Sequence, residues 1–232
     1  MVFNKKIVGR FYPWHSNFLQ ALNQNALFIK WAKKHEACAP LASEGETGGL
    51  PGFYRYVHQL VAGNDKPIDY LEFGVAGGGT LRLWLEINEH RNSRFYGFDS
   101  FYGLPEEWVW ALGGMPKGMY STNGKLPDIA DKRLLCIKGL FQESLPAFLK
   151  SYEPGNRLIV NLDCDLYSST LFCLTQLDSF LENQVVLFDE FDNLLHEFAA
   201  FQDYVRSYRR SYRVLARLGY FKKVAIQIVA RY

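Results

Sequence analysis

No apolar run in this chain approaches the roughly 18 residues that a membrane-crossing helix needs. The opening MVFNKKIVGRFYPWHSN likewise lacks the apolar stretch of a signal peptide, so a cytoplasmic protein is expected. Cysteine is scarce. Cys38, Cys136, Cys164 and Cys173 form no C-x-x-C pair, which argues against a zinc knuckle or a disulfide framework and for reduced thiols. Charge of one sign is also missing. The 26 Lys and Arg nearly balance 24 Asp and Glu, and a net charge of +2 supplies no broad field for nucleic acid or a membrane surface.

One local exception is the tail from Arg206 to Lys223, where Arg206, Arg209, Arg210, Arg213, Arg217, Lys222 and Lys223 alternate with tyrosines. Such interleaving can grip a phosphate backbone. It also suits the solvated side of a helix and strand, where long basic stems cover aromatic neighbours. Aromatics are abundant, at 16% with 18 Phe and 14 Tyr, and core packing accounts for them more simply than a stacking surface. At 232 residues and 48% hydrophobic content, the chain suits a single globular domain.

From residue 68 onward, short apolar runs alternate with helix-spaced segments, the pattern of consecutive βαβ units. The strand candidates are IDYLEFG (68–74), RFYGFD (94–99), RLLCIKG (133–139), RLIVNLD (157–163) and QVVLFDE (184–190). They are apolar nearly throughout, as strands covered on both faces are. Helical spacing marks 78–88, 141–152, 168–181 and 194–208. YRVLARLG and KKVAIQIVARY, separated around Gly219, read as a closing hairpin. The expected fold is α/β and Rossmann-like: a seven-stranded, mostly parallel sheet whose last strand runs antiparallel beside the fifth. Residues 1–66 hold helical pieces, NFLQALNQNALFIKWAKKH and FYRYVHQLVAG, that read as a cap on the 67–232 core within one domain. Residues 104–131 replace a helix with irregular chain, and long loops in compact domains are commonly lids.

The first strand ends in Glu72-Phe73-Gly74-Val75-Ala76-Gly77-Gly78-Gly79-Thr80, directly before a helix. Glycines there allow a sharp turn and close approach to a ligand, and the helix start presents free N–H groups. An acid two residues before the first glycine is ill suited to a pyrophosphate, but it attracts a ligand that carries an ammonium and a sulfonium. The acid therefore favours S-adenosylmethionine. Asp99 ends the second strand 27 positions later, where a carboxylate can accept both ribose hydroxyls. Asp163 and Asp165 follow the fourth strand, and Asp189 and Glu190 the fifth. Carboxylates gathered this way repel one another unless a cation or proton sits among them, and Mg²⁺ is a natural occupant. The plainer alternative is that Asp165 caps the next helix and that Asp189 or Glu190 only orders its loop.

These motifs together resemble the macrocin O-methyltransferase family, whose members methylate sugar hydroxyls of antibiotics. The residues that carry the likeness are YLEFGVAGGGTLRLW, YGFDSFYGLPEEW, KGLFQESLP, NLDCDLYSST, and VVLFDEFDN with HEFAAF after it, across residues 68–205. The resemblance implies a class I methyltransferase fold with S-adenosylmethionine as donor. The cofactor is assigned to Glu72, Gly74, Ala76, Gly77, Gly78, Thr80, Asp99, Ser100, Phe101, Gly139, Phe141 and Asp163. It also implies Mg²⁺ held by Asp163, Asp189 and Glu190, although the family pair is Asp-Asp and Glu190 departs from it. Asp163 is the expected proton acceptor and His196, beyond the fifth strand, the reserve base. A small-molecule acceptor is expected, without membrane or nucleic acid; assembly into a homo-oligomer stays open. A nucleic-acid methyltransferase, an NAD oxidoreductase and a non-catalytic S-adenosylmethionine binder are the rivals. The first would carry an N-P-P-Y-like loop where this chain has Asp163-Cys164-Asp165-Leu166-Tyr167.

Overall fold

The computed structural model describes residues 5–37, 40–41, 49–63 and 65–232, so Cys38 lies outside the described residues. In chain order the elements are α1 (Lys5–His35), β1 (Pro40–Leu41), α2 (Gly49–Val61), β2 (Ile68–Phe73), α3 (Gly79–Ile87), β3 (Arg94–Asp99), β4 (Trp108–Trp110) and β5 (Gly113–Met115). There follow β6 (Leu134–Lys138), α4 (Phe141–Leu149), β7 (Arg157–Leu162), α5 (Tyr167–Leu177), β8 (Val185–Phe188), α6 (Glu197–Ser207), β9 (Arg210–Leu218) and β10 (Lys223–Arg231).

The main sheet runs β1-β9-β10-β8-β7-β2-β3-β6. Its seven long strands are the expected Rossmann-like methyltransferase set, and the two-residue β1 adds to the edge beside β9. Pairing is parallel from β6 through β8, while β10 enters antiparallel between β8 and β9. The closing hairpin therefore stands where the sequence places it.

Alternation along each central strand feeds two cores. Leu71, Phe73, Val160, Leu162, Val186 and Phe188 pack with α4, α5 and α6 on one face, joined by Phe28 and Trp31 of α1. Ile68, Tyr70, Ile159, Val185 and Leu187 pack on the other, under Phe53, Tyr54 and Val57 of α2 and Leu81 and Trp84 of α3. Full burial of each such side chain contributes about 1.5–3 kcal/mol, which is what makes β2, β7 and β8 read as continuous apolar runs.

A polar lock closes the sheet's opposite, amino-terminal edge. Asp69 of β2 is fully buried and accepts Arg94 Nε at 2.9 Å, Asn156 Nδ2 at 2.8 Å, and Tyr152 Oη and the Gly155 N–H at 3.1 Å each. The region after β3 departs from the irregular reading, because residues 108–115 form the β4–β5 hairpin. Leu104, Trp108 and Leu166 give that hairpin a small core of its own.

Candidate active site

Strands β3, β2, β7 and β8 end on one edge, and a cleft of about 320 Å³ opens there. Gly74 begins the turn after β2 with φ +96, and a Cβ there would stand 1.7 Å from the Asp163 carbonyl oxygen. No side chain fits. The glycine thus lets the ends of β2 and β7 converge, which brings Asp163 to the turn.

Asp99 organises that turn from β3. Its Oδ2 accepts the N–H groups of Val75 and Ala76 at 2.8 Å each, and its Oδ1 accepts the Phe101 N–H at 2.6 Å. Ala76 and Phe101 sit in the left-handed region, at φ 43 and 60, a strained conformation for residues with side chains. Asp99 therefore both borders the cleft and holds the backbone around it.

Of the sequence-predicted cofactor residues, Gly74, Ala76, Asp99, Ser100, Gly139, Phe141 and Asp163 reach the cleft wall. Gly77, Gly78, Thr80 and Phe101 are not part of that wall. Gly78, at φ +77, is packed against Pro127, 2.7 Å from where its Cβ would be. Glu72 also lies beneath the wall, 1% exposed. The Tyr70 hydroxyl donates to its Oε2 at 2.6 Å, and its Oε1 is buried with no protein partner. Burial, reinforced by the charges of Asp189 and Asp99 and opposed by the Tyr70 hydrogen bond, raises the Glu72 carboxyl to about 8.

Asp163, Asp165, Asp189 and Glu190 all line the cleft. Burial first, then Asp189, Glu72 and Asp165, pushes the Asp163 carboxyl well above the usual range. Asp165, in the left-handed region at φ 60, is raised to about 7 by burial and then by Glu190 and Asp189. It makes no side-chain cap on α5. Asp189 is instead paired with Lys223, whose Nζ also lies 3.2 Å from the Asp189 carbonyl oxygen. The Tyr54 hydroxyl donates to Asp189 Oδ1 at 3.4 Å, and Lys222 Nζ stands 3.4 Å from Glu190 Oε1. Asp163, Asp189 and Glu190 reach one cleft without making one ion site. Among the described residues no three His, Cys, Asp or Glu side chains are placed to share a metal.

His196 has a different task from the expected reserve base. Its Nδ1 accepts the Tyr167 N–H at 3.0 Å, capping α5 from another element, and its Nε2 donates to the Val109 carbonyl of β4 at 2.6 Å. Burial lowers its pKa. Both ring nitrogens are thus taken by backbone, and the ring is absent from the cleft wall. The wall also includes residues that sequence reasoning did not assign. Leu104, Pro105, Trp108 and Tyr120 come from the loop expected to be a lid, and Ser169 from the first turn of α5. Glu106 reaches across to Ser168 Oγ, so the hairpin rests on that helix as well as on His196.

Residues 53–219 match the family described as Macrocin-O-methyltransferase (TylF). The chain belongs to the macrocin O-methyltransferase family. It is accordingly an S-adenosylmethionine-dependent O-methyltransferase. Among solved structures it is similar to the O-methyltransferase NovP, at 22% identity and TM-score 0.58, over 78% of this chain and 81% of that one. It is also similar to CalS11, a TDP-rhamnose 3'-O-methyltransferase of calicheamicin biosynthesis, at 20% identity and TM-score 0.50, over 89% and 93%. A Mg-SAM structure of cmcI aligns at 15% identity and TM-score 0.52, over 77% and 70%. No curated protein is matched significantly by sequence. At these identities the solved structures bear on the fold, and the family match bears on the activity. Among the described residues no helix is long and apolar enough to cross a membrane.

Proposed function

We propose that this macrocin O-methyltransferase family member methylates a hydroxyl on a sugar or sugar-bearing small molecule, with both substrates meeting in the cleft at the carboxyl edge. The observation that carries this reading is the shared wall. The glycine turn with Asp99, the Asp163–Asp165 acids, and Trp108 and Tyr120 of the hairpin loop all line it.

S-adenosylmethionine supplies an electrophilic methyl on sulfur. The residues present fit it. Asp99 keeps acceptor capacity on Oδ1 for a ribose hydroxyl, and Glu72 below the turn, raised to about 8 in the open cleft, would regain its charge when a cationic methionine end binds above its unpartnered Oε1. Ser100, Gly139 and Phe141 line the cleft beside Asp99 and would border the ribose and adenine, while Gly77, Gly78 and Thr80 belong to the turn and the start of α3. The Trp108 and Tyr120 rings offer the apolar faces of a sugar a surface against which to lie. Positioning of this kind contributes effective molarities on the order of 10⁵ M or more.

When bound, S-adenosylmethionine would give its methyl carbon to the acceptor oxygen and keep the electron pair of the broken sulfur–carbon bond on sulfur. The hydroxyl proton passes to a carboxylate. Asp163 is proposed for that role once a cationic donor beside it restores its charge, together with Asp165, which is raised only to about 7 and so is partly ionised at neutral pH. Both face the cleft, whereas His196 holds the hairpin with both nitrogens. Magnesium on Asp163, Asp189 and Glu190 does not fit the donors as they stand, because Asp189 and Glu190 already hold lysine ammoniums. No step here runs through a metal.

Calorimetric titration with S-adenosylmethionine, S-adenosylhomocysteine and NAD tests the cofactor, with binding of the first two and none of the third expected. Methyl-labelled donor offered to a panel of nucleotide sugars and glycosides then tests the acceptor class. Binding of NAD alone, or label appearing only in amine acceptors, overturns the proposal.

A further inference from the structure

Among the described strands of the sheet, β10 alone runs antiparallel to its neighbours, and this bears on the acids. Because β10 runs opposite to β8, its first residues arrive at the edge where β8 ends. Val224 pairs with Phe188, the last residue of β8, and the next position outward sets Lys223 against Asp189 and Lys222 near Glu190. A side chain entering β10 at this register stands at the carboxyl edge whatever its chemistry, and here both are lysines.

We propose that Lys223, supported by Lys222, is the resident cation of the carboxylate cluster and takes the place of a divalent metal in this chain. The proposal rests on the methyltransferase reading above. Three observations carry it. The Lys223 ammonium bonds Asp189 twice, through Oδ1 and the carbonyl oxygen. The pair is largely dry, with Lys223 11% and Asp189 15% exposed, so the ammonium is not a passing surface contact. The neighbouring Glu190 is met in the same way, by Lys222 at 3.4 Å.

An octahedral Mg²⁺ needs carboxylate lone pairs at about 2.0–2.1 Å, and an ammonium already hydrogen-bonded to them repels the incoming ion. A tethered ammonium also offsets the mutual repulsion of Asp163, Asp165, Asp189 and Glu190, which is the service a metal would perform. Lys223 is a positioning residue in this scheme. It acts through Asp189 and is itself absent from the cleft wall.

The test uses Mn²⁺ as the probe and reads its electron paramagnetic resonance in the full-length protein, with and without saturating S-adenosylmethionine. Wild type is expected to leave the free Mn²⁺ signal undiminished at micromolar concentrations. A Lys222→Met/Lys223→Met variant is expected to gain affinity by at least about tenfold, at one ion per chain, because freed carboxylates regain their lone pairs. Adding Asp189→Asn should abolish that gain, and Lys223→Arg, which keeps the charge, should show none. Stoichiometric Mn²⁺ binding by wild type, displaced by Mg²⁺, overturns the proposal, as does a folded double variant without a site. If the double variant fails to fold, the wild-type titration together with Lys223→Arg decides. Calorimetry of wild type with S-adenosylmethionine is read separately. Its failure would remove the methyltransferase reading and leave the Mn²⁺ result standing by itself.

Discussion

Replacing Asp99 separates two roles that the structure gives to one carboxylate. It accepts the N–H groups of Val75, Ala76 and Phe101, and it borders the proposed ribose position. A hydrogen bond to a charged group contributes about 1.5–3 kcal/mol. Asp99→Asn keeps the shape but has one acceptor oxygen. With that oxygen toward Val75 and Ala76, its amide nitrogen faces the Phe101 N–H donor to donor, so one bond is lost and two lose their charge. The expected loss of stability is about 2 kcal/mol. Asp99→Ala loses all three, yet cleft water can reach the freed N–H groups, which holds the expected cost to about 3–4 kcal/mol. Affinity for S-adenosylmethionine should fall at least about tenfold for Asn, equivalent to about 1.4 kcal/mol, and further for Ala. Urea unfolding followed by circular dichroism reads the first quantity and titration calorimetry the second. An Asn variant with unchanged midpoint and unchanged affinity would refute both roles. Lost stability with full affinity would leave Asp99 as scaffold alone.

Two further outcomes follow from buried charge. At Asp69, burial by itself raises the carboxyl, but hydrogen bonds from Arg94, Gly155 and Asn156 outweigh it and hold the group below its ordinary value. A depressed acid contributes stability that is present above its unfolded value of about 3.9 and lost as pH falls through the lower folded value. Asp69→Asn should therefore cost about 2 kcal/mol at neutral pH and flatten the acid limb of the stability curve below about pH 4, both measurable by denaturant titration across pH. An acid limb identical to wild type would remove Asp69 from the account. At His196, burial lowers the pKa, so the neutral ring that accepts the Tyr167 N–H is full-strength above the unfolded value of about 6.5 and weakens as pH falls through the folded one. Protease cleavage in residues 106–118 should quicken on going from about pH 7.5 to about pH 5.5 in wild type. In His196→Ala it should already be fast at the higher pH. Equal wild-type cleavage rates at both would refute the latch.

Much of the fold was legible because the central strands are buried on both faces and so appear as unbroken apolar runs. RFYGFD coincides with β3 residue for residue, and RLIVNLD exceeds β7 by its terminal Asp163 alone. The amino-terminal part was less legible. α1 begins at Lys5, whereas the helical piece named from the sequence starts only at Asn17; Gly9 and Pro13, both poor helix residues, lie in the part it leaves out. The β4–β5 hairpin was hidden for a related reason. Its strands have three residues each and its second is Gly113-Gly114-Met115, too short and too glycine-rich to show a two-residue period.

The acids of the cleft were legible because a charged residue that ends an apolar strand stands out in one dimension. Their partners were not. Lys223 lies 34 positions beyond Asp189, and the basic tail that contains it reads in one dimension as a phosphate grip or as a solvated face. The structure divides that tail by register. Arg210 is buried on Asp178, Arg217 covers the Phe221 ring, and the two lysines turn to the carboxylates. Yet the step from sequence to pairing needs one topological fact, which the closing hairpin already supplies. In a parallel sheet every strand delivers its last residues to the ligand edge, so a strand that enters in reverse must deliver its first. KKVAIQIVARY begins with two lysines, and a reversed strand beside one that is followed by Asp189-Glu190 sets those ammoniums against carboxylates.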